Sequence, residues 1–331
     1  MRAFSITKYK GALHEINAPE PTVGEADVLV QIKAAGLNQL DEKIRVGEFK
    51  QILPYQLPLI LGNDLAGTVI AVGPKVRSFK IGDDVYGRPD EDRIGTFAER
   101  ISVAEADLAL KPTSIIMAEA GALPLVALTA WQALVVEGNL KRGQKVLVHA
   151  GSGGVGSIAI QLAKHLGATV ATTASGANAD FVRELGADIV IDYRTQDFEK
   201  EVHGYDLVLD SLGGKNLEKS LRVLRRGGKV IGIAGPPDPD FAAAAGLNGV
   251  LRLGVAALSS GIRRQAKKLG VTYSFLFMRA SGDQLREITA LIENGAIRPV
   301  VGQVHPFNDA AKALGALEKG GIRGKVVLTN A

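Results

Sequence analysis

Lys145-Val146-Leu147-Val148-His149-Ala150-Gly151-Ser152-Gly153-Gly154-Val155-Gly156 runs directly into Ser157-Ile158-Ala159-Ile160-Gln161-Leu162-Ala163-Lys164-His165-Leu166-Gly167-Ala168. An apolar run of strand length meets a glycine-rich turn. The turn opens a segment with apolar residues at Ile158, Leu162 and Leu166, which is helical spacing. Gly151, Gly153 and Gly156 satisfy G-x-G-x-x-G, and each has a mechanical use: the tight turn, approach of the backbone to a pyrophosphate, and close helix-to-strand packing. The free N–H groups and positive end of the following helix then face an anion. In a chain with 39 glycines the pattern alone is weak, and a plain turn in an α/β domain is the alternative. The strand before it and the helix after it favour a dinucleotide site.

Working outward, the next strand selects the nucleotide. Thr169-Val170-Ala171-Thr172-Thr173-Ala174-Ser175 ends about 20 residues beyond the glycines, where an NAD site carries Asp or Glu for the ribose hydroxyls. No acid ends this strand. Ser175 and Asn178 are small and polar and leave room for a 2′-phosphate, so NADPH is favoured over NADH.

The 331 residues suffice for two domains, and 46% hydrophobic with 22% charged residues excludes wholesale disorder. The pI near 9.1 comes from scattered basic residues, without the stripe and interleaved aromatics of a nucleic-acid binder. Arg263-Arg264 with Lys267-Lys268 reads as a solvated helix face. The absence of cysteine removes disulfides, a thiolate nucleophile and every cysteine-containing zinc site. The amino terminus lacks the apolar core of a secretion signal, and a cytoplasmic protein is expected. Ala120 to Val136 carries no charge but is short of a membrane span and contains Pro124, so a buried helix is expected there.

In chain order, residues 1–120 read as β-rich, with Val28, Val30 and Ile32 alternating and Ala66 to Gly73 as a second strand. Residues 121–260 alternate strands with helices, which implies a parallel, doubly wound sheet. Ligands bind at the carboxyl ends of such strands, which places Ser175, Tyr193, Ser211, Leu212, Ala234 and Gly235 near the cofactor. Phe241 to Leu258 reads as one helix that covers the site or forms an interface. Strand and helix signals return towards the end: Val271 to Phe277, Asp283 to Glu293, Pro299 to Val304, Asp309 to Glu318 and Lys325 to Leu328.

These residues resemble the medium-chain dehydrogenase/reductase superfamily, in its zinc-free quinone oxidoreductase and enone reductase branch. The resemblance rests on Ala35 to Asp41, Leu61-Gly62-Asn63-Asp64-Leu65-Ala66-Gly67, Gly82 to Gly87, Leu128 to Leu134, the glycine loop, Gly186-Ala187-Asp188, Ile191-Asp192-Tyr193 and Gly324-Lys325-Val326-Val327-Leu328. It implies a GroES-like catalytic domain over 1–120, a Rossmann domain over 121–260 and a segment over 261–331 that completes the catalytic domain. Zinc alcohol dehydrogenases of this superfamily have a cysteine where this chain has Asn38, and Gly-His-Glu where it has Gly62-Asn63-Asp64. An amide and a carboxylate do not replace thiolate and imidazole at a tetrahedral zinc site.

What the resemblance implies is hydride transfer from NADPH to a quinone or an α,β-unsaturated carbonyl without a metal. It assigns Lys43 to the nicotinamide ribose and a developing enolate, Asp41 to orienting Lys43, and Asn38 to lining the substrate site. Read without it, Asp41 and Lys43 are a solvated surface pair. Similar proteins bind the cofactor through the positions of Thr129, Ser152, Gly154, Val155, Ser175, Asn178, Tyr193, Leu212, Phe275, Phe277 and Lys325, beside Gly151, Gly153, Gly156 and Ala234 placed there by the glycine motif and the strand ends. Many carry a lysine where this chain has Asn178, which leaves Tyr193 and Arg194 to meet the 2′-phosphate. Phe49 and Tyr55-Gln56-Leu57 are expected to border the substrate, a small electrophile. His149 is expected to be structural. A homodimer is a further expectation, since related reductases are often dimers. The competing functions are an NADPH-binding structural or sensing protein and a zinc-type alcohol dehydrogenase.

Overall fold

Lys145–Val148, the strand ahead of the glycine loop, lies in the middle of a parallel sheet, hydrogen-bonded to Thr169–Ala174 on one side and Tyr205–Asp210 on the other. The structure, a computed structural model, describes residues 1–50 and 53–330. It divides into two compact units, Met1–Leu128 with Arg279–Ala331, and Thr129–Met278. Both α/β layering and a β-rich companion, expected from the sequence, are present.

In the Thr129–Met278 unit the six strands, counted in chain order, lie in the order 3-2-1-4-5-6, and every pairing is parallel. This is the doubly wound dinucleotide-binding order, in which the chain reverses direction across the sheet between the first and fourth strands. Parallel strands are covered on both faces, and the near-complete burial of Val146, Leu147, Val170, Val208 and Val230 follows from that. The last strand, Thr272–Phe275, pairs with Leu224–Gly232. The division therefore falls at 278 rather than 260, because the sheet needs a strand from beyond the expected boundary. At the other end it falls at 128 rather than 120.

Two local expectations are corrected. Phe241 to Leu258 is not one helix but parts of two, Pro239–Ala244 and Gly249–Leu269. Asp238 caps the first through the Phe241 N–H, Gly246 turns the chain at φ +62°, and the Asn248 side chain caps the second through the Leu251 N–H. The uncharged stretch from Ala120 is likewise broken, into Pro124–Trp131 and a wider π-turn over Gln132–Glu137. Among the described residues no helix is long and apolar enough to cross a membrane.

In the other unit Asp27–Leu37 is the organising strand. Val28, Val30 and Ile32 point into the core, and the strand pairs antiparallel with Leu65–Val72, Arg100–Ala104 and Lys325–Thr329. The carboxyl-terminal strand thus extends a sheet begun some three hundred residues earlier, with Val326 opposite Leu37 and Val327 opposite Gly36. The returning segment is also pinned by Tyr86, whose buried hydroxyl donates to the Leu285 carbonyl at 2.9 Å beside Thr289 Oγ1, also at 2.9 Å. Tyr86→Phe removes the hydroxyl's bonds to that carbonyl and to Thr289 and should lower stability by about 1 kcal/mol, read as a lower urea midpoint at unchanged slope.

Candidate active site

A buried polar cluster fills the Met1–Leu128 and Arg279–Ala331 unit where the sequence placed Asn38. Asn38 precedes the helix Gln39–Val46, and Asp41, three residues on, accepts the Asn38 N–H at 2.7 Å through Oδ2. The other Asp41 oxygen accepts from Asn63 Nδ2 at 2.7 Å. Asn38 donates through Nδ2 to Asp64 Oδ2 at 2.9 Å, and Lys325 Nζ donates to the same oxygen at 3.0 Å and to Asn38 Oδ1. Asp64 Oδ1 accepts the Leu125 N–H at 2.7 Å. Lys325 is only 5% exposed, and Asn38, Asp41, Asn63 and Asp64 are all buried. Gly36 admits this packing, since a side chain there would collide with the Gly121 carbonyl and the Asp64 carboxylate.

Asp41 and Lys43 do not act on one another. Residues two apart on a helix point to different faces. Asp41 is wholly buried, whereas Lys43 is half-exposed with Nζ 3.9 Å from Glu48 Oε2. Lys325, read as a cofactor contact, instead shares Asn38 and Asp64. Tyr55 is half-buried, with its hydroxyl donating to the Glu91 carbonyl. Residues 51 and 52 of the loop after Phe49 lie outside the described residues.

In the Thr129–Met278 unit the glycine loop has the geometry of a phosphate cradle. Side chains at Gly151 or Gly156 would strike Thr172 Oγ1 and the Ala150 carbonyl, whereas Gly153 has only the Ala150 carbonyl near it, at 3.3 Å. Two glycines thus serve packing and the third leaves the backbone approachable. The helix Gly154–His165 starts after Gly153 with no side-chain cap, so its first N–H groups are left for an external acceptor. Ser152, Gly154 and Val155 are half-buried. Asn178 Nδ2 donates to Ser152 Oγ at 3.2 Å, which joins two expected cofactor residues, and buried Ser175, just past Thr169–Ala174, accepts the Asn178 N–H through its carbonyl at 2.8 Å. Tyr193 is 60% exposed, with the Arg194 guanidinium 5.9 Å from its ring centre. A free cation beside an open aromatic ring suits a 2′-phosphate and adenine, and the donor set as a whole fits NADPH.

His149, expected to be structural, is held by residues that sequence reading did not single out. His149 Nδ1 lies 3.1 Å from Thr173 Oγ1 and Nε2 lies 3.0 Å from Ser220 Oγ, which donates to Asp210 Oδ2 at 2.9 Å. Asp210 Oδ1 in turn accepts the N–H groups of Leu212 and Gly213 at 3.0 and 2.7 Å. The serine sits between His and Asp and all three are buried, so the trio sets loop shape and carries no nucleophile. Leu212 stands exposed on that loop and Ala234 is half-buried. Asp238 accepts the Phe275 N–H at 2.9 Å, and Phe241 meets the rings of Phe275 and Phe277 at 5.3 and 5.7 Å. Thr129 is buried at the start of the unit. The one available signal was an acid ending an apolar strand, as Asp210 does.

Burial pushes the Asp41 carboxyl up to about 7, against the pull of Asn63 and Asn38, and pushes the His149 imidazole down to about 4. Folded Asp41 keeps a proton that the unfolded chain has released, so its contribution is complete below the ordinary carboxyl range and is lost as pH rises through about 7. His149 works oppositely: its contribution is complete above about 6.5 and is lost as pH falls through about 4. Asp41→Asn should therefore flatten the loss of stability between about pH 4 and pH 7. Urea midpoints across that range measure it, and a slope equal to the parent's would refute the assignment.

The sequence model of the alcohol dehydrogenase GroES-like domain matches residues 24–113, and that of the zinc-binding dehydrogenases matches 185–328. The 2-methylene-furan-3-one reductase of Solanum lycopersicum is 35% identical over 99% of this chain and 79% of its own length. The chloroplastic NADPH-dependent alkenal/one oxidoreductase of Arabidopsis thaliana is 36% identical with the same coverage. Among solved structures, the Escherichia coli quinone oxidoreductase complexed with NADPH superposes with a TM-score of 0.83 at 27% identity, covering both chains fully. The chain belongs to the medium-chain dehydrogenase/reductase superfamily, in its zinc-free quinone oxidoreductase and enone reductase branch.

Proposed function

We propose that this protein is an NADPH-dependent reductase of quinones or α,β-unsaturated carbonyl compounds that works without a metal. The observation that carries the reading is the Lys325 ammonium bound to Asn38 and Asp64. Zinc relatives have a metal ligand at the position of Asn38 and Gly-His-Glu at that of Gly62-Asn63-Asp64, whereas here a side-chain cation engages both residues. A hard amide and a carboxylate already neutralised by an ammonium make a poor tetrahedral zinc site. The reading is supported further by enone and alkenal reductases among the relatives.

When bound, NADPH supplies the hydride. Ser152, Gly154 and Val155 would meet its pyrophosphate with backbone N–H groups, while Ser175, Asn178, Tyr193 and Arg194 hold the adenosine phosphate. Asn38, fixed by Asp64 and Lys325, keeps one orientation and offers a preorganised polar wall to the acceptor. Lys43, half-exposed on the helix Gln39–Val46, is assigned to a ribose hydroxyl by the family resemblance. A conjugated acceptor is electrophilic already and needs orientation rather than a Lewis acid. The cytoplasmic setting and the homodimer belong to the same proposal.

Steady-state assays pairing NADPH or NADH with a quinone, an enone and a simple aldehyde test the reading. Turnover is expected with the first two acceptors, undiminished by a chelator. Tight NADPH binding without turnover of any acceptor would favour a sensing role, and loss of activity on chelation would overturn the metal-free mechanism. Arg194→Ala should raise KM for NADPH about ten-fold or more while changing KM for NADH little, since only one carries the 2′-phosphate.

A further inference from the structure

Arg88, just beyond the strand Asp84–Gly87, is among the largest fully buried side chains, at 1% exposure. Its Nε and Nη1 are shielded from solvent and have no hydrogen-bond partner among the described residues. A guanidinium does not shed its charge, and a buried charge is normally paired or bound. Glu91 and Asp107 feel its field, yet no carboxylate among the described residues forms an ion pair with it.

Two further orphaned atoms lie on adjoining backbone. Asn63 Oδ1 and Thr96 Oγ1 are fully buried and likewise unpartnered. Leu65 pairs with Gly87, so Asp64 and Arg88 leave that ladder side by side. The Gly62 carbonyl accepts the N–H groups of Gly95 and Thr96 at 3.0 and 3.3 Å, which brings Thr96 to the residue before Asn63. The amide nitrogen of Asn63 is committed to Asp41, which leaves its oxygen buried without a donor. Tyr55, expected to border the substrate, is near enough to feel the charges of both Arg88 and Asp41.

Such a set has a definite complement. The guanidinium N–H groups and the Thr96 hydroxyl want acceptors, ideally a planar anion that can take two parallel donors. A neutral carbonyl alone would leave the buried charge uncompensated. A hydrated carboxylate satisfies the donors and, through its water, returns a proton to Asn63 Oδ1.

Building on the proposed reductase activity, we infer that Arg88, Asn63 and Thr96 form a carboxylate subsite, and that the acceptors this protein is built for are conjugated carbonyl compounds carrying a carboxylate. The chemistry is unchanged: hydride goes to the β-carbon, a solvent proton to the α-carbon, and NADPH leaves as NADP⁺. Arg88 selects the acceptor by its far end.

The test compares an acyclic enone with the same enone ended by a carboxylate two methylenes from the alkene, a spacing that insulates its reactivity. The parent protein should show kcat/KM about ten-fold or more in favour of the acid, mostly through KM, and Arg88→Met should erase that ratio while Arg88→Lys restores part of it. Should Arg88→Met fail to fold, the parent is assayed with the saturated keto acid and its neutral counterpart as competitive inhibitors, and only the acid should inhibit well. A parent that treats the two enones alike, or a ratio unmoved by Arg88→Met, means that Arg88 is merely hydrated and overturns the subsite alone. No reduction of either enone or of a quinone run beside them overturns the reductase reading with it, whereas reduction of the quinone alone overturns the subsite only.

Discussion

The contact between the Lys325 ammonium and the Asp64 carboxylate, both buried, is the constraint from which the rest of the acceptor-side geometry follows. Neither charge is tolerable there alone, and a buried pair survives only when its remaining donors and acceptors are also met. Asn38 and the Leu125 N–H meet them. That requirement fixes the Asn38 rotamer, holds the start of the helix Gln39–Val46, and ties the carboxyl-terminal strand to the middle of the sheet. The positions that would carry a metal in zinc relatives thus keep a cation, supplied by the chain itself.

The nucleotide-binding unit rests on a different economy of charge. There the helix Gly154–His165 leaves its first N–H groups open, and a neutral imidazole, a serine and an aspartate brace the surrounding loops from behind. Burial holds His149 uncharged at ordinary pH, so the brace adds no positive charge behind the glycine loop. On the proposed reading, affinity for an anion rests on backbone dipoles at the glycine loop and on Arg194.

Most of the fold was legible, for identifiable reasons. The strand–glycine–helix signal at 145–168 is local and strongly periodic, and so were the alternating apolar residues of Asp27–Leu37. Boundaries were not, since the strand Thr272–Phe275 joins its sheet through a pairing that no local pattern announces. The helix over 241–258 was drawn through Gly246 because alanine-rich sequence on either side outweighed one turn residue. At the site, Asp41 was singled out with the wrong partner, and Asn38 was singled out with none. Spacing along a helix should have separated Asp41 from Lys43, whereas the union of Asn38 with Lys325, 287 residues apart, is purely tertiary. Arg88 was silent, because nothing in a Gly-Arg-Pro sequence says that its side chain turns inward.

The strand bearing Lys325 has a place in time as well as in space. It is synthesised after the entire Thr129–Met278 unit, so the first 128 residues emerge from the ribosome with a bare edge on their principal strand and an unneutralised Asp64. The nucleotide-binding unit can assemble while its neighbour waits. An incomplete chain lacking that last strand would retain a dinucleotide fold but carry an open sheet, a natural target for chaperones and proteases.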